Sequence, residues 1–208
     1  MRSQLSSKGK PRMKMITIGL IALAIVAVIV AIRPQFARAE LLKEGQIAPP
    51  FTTQMITGEQ EAPMSLADFH GRKVILYFYP KDETSGCTKE ACAFRDGYAR
   101  YTNAGLVVLG CSVDTADAHK DFIRKNSLPF PLLLDPDKKI ATAYGAANGI
   151  PILGLDRRIT YVIDENGKII KVYPSVDPST HAIEILNDLG AADATPPAQA
   201  SPAAPVSN

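Results

Sequence analysis

Cysteine is scarce in this chain: Cys87, Cys92 and Cys111 are the only three among 208 residues, and no two stand in the Cys-x-x-Cys that a thiol exchanger of the thioredoxin type carries. Histidine is as scarce, with His70, His119 and His181 in unrelated segments. A structural zinc site needs about four ligands at set spacings, so the ligand count excludes zinc. The three histidines read as inert surface or cap residues. Acidic residues are missing from residues 1–39, which hold seven Lys and Arg. The remainder has 16 basic and 21 acidic residues, a net charge of −5. Phosphates would repel such a body, so nucleic acid is not an expected partner. No internal repeat is visible, and 208 residues suit one medium domain with appendages.

What is present at the ends is one-sided. Residues 15–32, "MITIGLIALAIVAVIVAI", form an uncharged and mostly apolar run. As a helix it would span about 27 Å at about 1.5 Å per residue, close to the hydrocarbon thickness of a bilayer. The basic segment 1–14 should hold the N-terminus in the cytoplasm and send the rest across. Residues 33–41 form a linker in which Ala37 and Ala39 make an Ala-x-Ala cleavage pattern. Residues 15–32 are therefore expected to be either a transmembrane anchor or the core of a signal peptide. The body would lie outside the cytoplasm, membrane-anchored in the first case, exported and soluble after cleavage near Ala39 in the second. Residues 191–208 are Ala, Pro and Ser with one charge, too poor in apolar side chains to offset the entropy of ordering. The expected folded part is 42–190.

Within it, "VILYFYP" (74–80) is a continuous apolar run that predicts a strand buried on both faces. From Cys87 the period changes: Cys87, Ala91, Phe94, Tyr98 and Tyr101 share one helical face, with Gly105 as the stop. "LVVLGCSV" (106–113) is a second buried strand, with Cys111 as core packing. A helix follows over 114–128, capped by Asp114 or Thr115, then an extended segment over 128–135 and a short helix over 135–145. Residues 158–174 predict two strands about Asn166-Gly167 in a type I′ hairpin. A last helix spans 177–190, with Asp177 as cap, Pro178 in the first turn and Gly190 as the end. This order predicts an α/β fold, a mixed central sheet with helices on both faces, compatible with a thioredoxin-like architecture.

Chemistry in such a sheet gathers beyond the carboxyl ends of the strands, where residues 80–87 fall. Cys87 then sits in the first turn of a helix, where unpaired N–H groups and the helix dipole favour a thiolate. Ser85 and Gly86 make the turn small and polar, unlike the setting of a cysteine that merely packs.

The stretch "FYPKDETSGCTKEACAFRD" resembles the active-site segment of the peroxiredoxins, and most of all the bacterioferritin comigratory protein or peroxiredoxin Q subfamily. The resemblance extends over about residues 42–190, with "EGQIAPPFT", "YGAANG" and "RRITYVIDENGKI" in family order. The family motif Pro-x-x-x-Thr-x-x-Cys is matched by Pro80, Thr84 and Cys87. The resemblance implies a thioredoxin-like fold and a thiol peroxidase acting on hydrogen peroxide and organic hydroperoxides without cofactor or metal. It implies roles in turn. Cys87 is the peroxidatic cysteine that becomes a sulfenic acid. Thr84 offers its hydroxyl to thiolate and peroxide, and Pro80 shields the pocket. Arg158, at the head of "RITY", stabilises the thiolate and holds the peroxide; alternation would turn Arg157 the other way. Cys92 is the resolving cysteine, and a thioredoxin or thioredoxin-like dithiol protein is the reductant. The subfamily tends to monomers. Close relatives tend to carry Pro where Ser85 stands, and the segment 145–157 is shorter here.

Five residues along an intact helix separate two Cα atoms by about 8.6 Å. A disulfide needs about 4.4–6.8 Å. A Cys87–Cys92 bond therefore requires the first turns to unwind. Cys92 as a plain helix-face cysteine is the competing reading. Glu90, Arg95 and Asp96 share this helix; they could orient Arg158, with surface pairing as the default. Two other functions stay open on the same residues: a non-catalytic redox sensor or thiol switch, and an extracytoplasmic disulfide exchanger.

Overall fold

A computed structural model of the chain describes residues 40–147 and 155–192. The apolar run 15–32, the basic segment before it, the Ala-rich tail from residue 193 and the centre of the 145–157 segment lie outside the described residues. Among the described residues no helix is long and apolar enough to cross a membrane.

Seven strands form one mixed sheet: β1 (Thr52–Thr57), β2 (Gln60–Ser65), β3 (Lys73–Phe78), β4 (Leu106–Ser112), β5 (Leu132–Leu134), β6 (Ile159–Ile163) and β7 (Ile169–Tyr173). Their order is β2-β1-β5-β4-β3-β6-β7. The centre, β5-β4-β3, is parallel, and β6 closes on β3 antiparallel, Tyr77 opposite Thr160 and Phe78 opposite Ile159. β3 and β4 are buried almost throughout, as their unbroken apolar sequences require.

Among the described residues five helices accompany the sheet: α1 (Ser85–Asp96), α2 (Tyr98–Asn103), α3 (Ala116–Asn126), α4 (Lys139–Ala143) and α5 (His181–Asp188). Side-chain alternation on β3 sorts the two faces of the core. Ile75 and Tyr77 pack with Phe94 of α1, Tyr101 of α2, Phe122 of α3 and Ile185 of α5. Val74, Leu76 and Phe78 pack with Ile140 of α4, Tyr144 and the chain before β1. Among the described residues helices thus lie on both faces, but unequally: four on one, and α4 with a 3-10 turn at Leu66–Phe69 on the other. The parallel connections β3-α-β4 and β4-α-β5 run in one direction along the sheet, and a fixed crossover hand keeps their helices on one side.

Several elements differ from the sequence expectation. The β1–β2 hairpin was not legible, because "TTQMIT" and "QEAPMS" form an exposed edge with few apolar residues. The helix expected from Cys87 to Tyr101 starts at Ser85 and is broken at Gly97 into α1 and α2. The third strand shrinks to Leu132–Leu134, and the following helix starts only at Lys139, with the Asp135 carboxylate accepting from the N–H groups of Ile140 and Ala141. The hairpin at Asn166-Gly167 is not type I′. Only Gly167 has a positive φ, 79°. The Asp164 side chain accepts from the N–H groups of Asn166 and Lys168, and Gly167 N–H closes on the Asp164 carbonyl. This is a type I turn with glycine in the following left-handed position, the form of a three-residue loop, since Asp164 N–H donates to the Lys168 carbonyl. The last helix becomes regular at His181 rather than Asp177, which instead accepts from Ser179 N–H in a preceding turn.

Candidate active site

β3 carries the chain to Phe78, and residues 79–84 turn it into α1. The turn is held from below. Asp82 is buried and accepts from the Tyr79 hydroxyl at 2.8 Å, while its other oxygen lies 2.7 Å from Nδ1 of His119 on α3. Its backbone N–H donates to Asp114, which also accepts from Ser112 at the end of β4. His119 is therefore a buried anchor, not a surface residue. His181 is buried as well, with Nε2 2.8 Å from the Thr160 hydroxyl of β6. Of the three histidines only His70 is exposed, as expected.

Thr84 is the N-cap position of α1 and makes no side-chain cap. Its hydroxyl donates to the Lys81 carbonyl at 3.0 Å, and the first helical bond runs from Thr88 N–H to the Thr84 carbonyl. The N–H groups of Ser85, Gly86 and Cys87 thus precede the helical ladder, and the dipole adds partial positive charge there. Cys87, the third residue of the helix, is buried and free. Pro80 is half-buried in the turn before the helix.

Arg158 precedes β6, the antiparallel neighbour of β3, and this pairing brings it to the cysteine. Its Nη2 donates to Cys87 Sγ at 3.2 Å and its Nη1 donates to Glu90 Oε2. Burial works against the arginine's charge, but Glu90 and Cys87 outweigh it. A Cβ on Gly86 would stand 3.3 Å from the same Nη2, so the small residue leaves room for the guanidinium. Arg157 turns away and donates to the Gly145 carbonyl, as alternation requires.

Glu90 is the residue that the sequence reading misplaced. It is fully buried, and burial pushes its carboxyl up to about 7 although Arg158 pulls the other way. Its Oε1 has no hydrogen-bond partner. The signal was present: Glu90 stands three residues after Cys87 and next to Ala91, an acid on the apolar face of its helix. Arg95 and Asp96 do pair with each other near the surface. They do not touch Arg158; Arg95 instead reaches the carbonyl of Asn126.

Cys92 is half-buried and free, its Sγ 3.8 Å from the side-chain oxygen of Asn126 at the end of α3. The two thiols of α1 thus face different neighbours. Cys111 is fully buried in β4, and burial pushes its thiol well up, which agrees with packing and not reaction. Among the described residues no group of His, Cys, Asp or Glu could hold a metal ion. An apolar recess of about 150 Å³, lined by Ile47, Leu66, Phe69 and Val74, belongs to the opposite face and touches none of these side chains.

A guanidinium fixed between a buried carboxyl group and a thiol at a helix start sets a positive charge and unpaired N–H groups beside the sulfur. Comparison with known proteins gives the site its family. The model of the AhpC/TSA family matches residues 45–172. The chain belongs to that family. It is 45% identical over 153 residues to the peroxiredoxin bcp of Coxiella burnetii, covering 71% of this chain and 99% of that protein. It is 42% identical over 144 residues to the chloroplastic peroxiredoxin Q of Sedum lineare, covering 69% and 75%. Among solved structures, the peroxidoxin BcpB of Mycobacterium tuberculosis superposes with a TM-score of 0.65 at 30% identity, covering 72% of this chain and 97% of that one. The peroxiredoxin resemblance, the thioredoxin-like fold and thiol peroxidase chemistry at that coarse level all stand on these matches.

Proposed function

We propose that the chain reduces hydrogen peroxide and organic hydroperoxides through Cys87, resolves the product with Cys92, and is returned to the dithiol by a thioredoxin-like protein. The observation that carries this reading is the Arg158 fork, with one nitrogen 3.2 Å from Cys87 Sγ and the other on Glu90. The Cys87 thiolate attacks one peroxide oxygen, the O–O bond breaks, and the leaving alkoxide or hydroxide takes a proton. Cys87 becomes a sulfenic acid. Arg158 and the first-turn N–H groups face the charge that moves from sulfur to the leaving oxygen. Thr84 would serve the peroxide by turning its hydroxyl from the Lys81 carbonyl, and Pro80 would keep water from the sulfur. The Cys92 thiol then displaces water from the sulfenic acid. Its disulfide with Cys87 requires part of α1 to unwind, because five helical residues hold the Cα atoms about 8.6 Å apart.

A structurally similar protein, the bacterioferritin comigratory protein of Xanthomonas campestris, has alkyl peroxide reduction activity, which favours organic hydroperoxides among the substrates here. The charge pattern of residues 1–32 supports a domain working outside the cytoplasm, on an anchor or after export; that it works as a monomer rests only on the resemblance to the peroxiredoxin Q subfamily.

The test is peroxide consumption by the full chain with a dithiol protein, wild type beside Cys87→Ser and Cys92→Ser. An enzyme turns over many equivalents, and Cys87→Ser abolishes turnover. A sensor stops after one equivalent. Loss in Cys87→Ser alone would keep the nucleophile and remove the resolver.

A further inference from the structure

The end of α3 touches α1 on both sides of the residues that must unwind. Lys125 Nζ lies 3.2 Å from Glu83 Oε1, just before the helix. Asn126, the next residue, reaches the far side two ways. Its backbone carbonyl accepts from Arg95 Nη1 at 2.8 Å. Its side-chain oxygen lies 3.8 Å from Cys92 Sγ, and its Nδ2 donates back to the Phe122 carbonyl at 2.9 Å, which fixes the amide. The carbonyl is one that a helix end leaves without a helical partner, since the chain departs through Ser127 in the left-handed region. Arg95 satisfies it and is itself braced on Asp96 through Nε and Nη2, both at 2.9 Å.

We propose that Arg95 and Asn126 are positioning residues for the resolving step: they clasp the C-terminal half of α1 to α3, hold Cys92 in the folded helix, and govern how fast it reaches oxidised Cys87. This rests on the resolving role proposed above for Cys92. The two contact points differ in strength. Lys125 and Glu83 are about half exposed, and such a pair holds weakly. The Arg95 grip on a carbonyl is charge-assisted, and Cys92 is half-buried beside it. The N-terminal side opens first and the Cys92 side last. Release of the clasp then competes with a second oxidation. Either Cys87 sulfenic acid and the Cys92 thiol give a disulfide and water, or the sulfenic acid takes an oxygen from another peroxide and gives a sulfinic acid and an alcohol or water.

The test uses the full chain with Asn126→Ala, which removes the contact to the thiol, and Arg95→Lys, which keeps the positive charge near Cys92 but cannot hold Asn126 and Asp96 together. Rapid quenching, thiol alkylation and mass spectrometry read sulfenic acid, disulfide and sulfinic acid separately. Sulfenic acid formation is expected at the wild-type rate in both variants. Disulfide formation is expected about three- to tenfold faster in at least one, the size of one modest hydrogen bond. The peroxide concentration giving half sulfinic acid should rise by the same factor. A merely structural role would slow the first step or leave the partition alone. Disulfide formation that is unchanged or slower in both variants, or sulfenic acid formation that falls in both, overturns the clasp alone. A wild type that forms no Cys87–Cys92 bond overturns the resolving role and the clasp with it.

Discussion

Arg158 Nη2 lies 3.2 Å from Cys87 Sγ across 71 residues of chain. The contact exists because β6 pairs with β3, whose end leads into the cysteine helix. The same guanidinium holds Glu90, so its direction is set from two sides. Arg158→Ala removes one charge-assisted bond to the reacting sulfur, worth about 2–3 kcal/mol. Peroxide attack should slow by about 30- to 150-fold. Arg158→Lys should recover only part of it, because an ammonium cannot reach two partners as a planar fork does. Competition kinetics of sulfenic acid formation measure both.

Glu90 makes stability depend on pH in the unusual direction for a carboxyl. Its folded-state value is pushed up to about 7 from 4.5, chiefly by burial. Between about pH 4.5 and 7 the folded state therefore binds the proton more tightly than the unfolded chain, so stability falls as pH rises through this window. The contribution is on the order of 3 kcal/mol. Glu90→Gln keeps an acceptor for Arg158 and removes the titration. Urea unfolding at pH 5 and pH 8 should show wild type losing ground to the variant as pH rises. A constant difference would place the carboxyl's titration elsewhere.

His119→Ala tests the anchor under the active-site turn. The substitution leaves Asp82 buried with one oxygen unpaired, at a cost of about 3 kcal/mol. In a chain of this size the thermal midpoint should fall by about 10 °C. Peroxide attack should also weaken, because Asp82 holds the turn that leads to Cys87. His70→Ala, at an exposed position, is expected to change neither.

Ser85→Pro places at the first helical position a residue whose ring is already set for it. Thr84 already has φ −77° and ψ 146°, the extended conformation that a following proline requires. The N–H lost at this position has no helical acceptor. The variant should gain about 0.5–1 kcal/mol by restricting the unfolded chain. It should form the disulfide more slowly, since α1 then resists unwinding. Urea unfolding and the quench experiment check the two halves.

How much was legible in the sequence differs from element to element. Strands β3 and β4 and the cysteine helix announced themselves because their burial is continuous or strictly periodic, and periodicity is local. The β1–β2 hairpin did not, because an exposed edge needs no apolar alternation. The turn at Asn166-Gly167 was placed correctly and typed wrongly, because loop length, and not the dipeptide, selects the turn.

By itself the sequence determined the place of Cys87. A cysteine after a buried strand and a small polar turn falls at a helix start, where unpaired N–H groups and the dipole add positive charge. Only the tertiary structure decided what stands around that sulfur. Pairing of β6 with β3 turned Arg158 from a strand-end arginine into the thiol's partner. Packing of α1 against the sheet buried Glu90. The end of α3 chose the neighbours of Cys92. These are contacts between residues tens of positions apart, and no local pattern encodes them, because burial and charge pairing are properties of the packed whole.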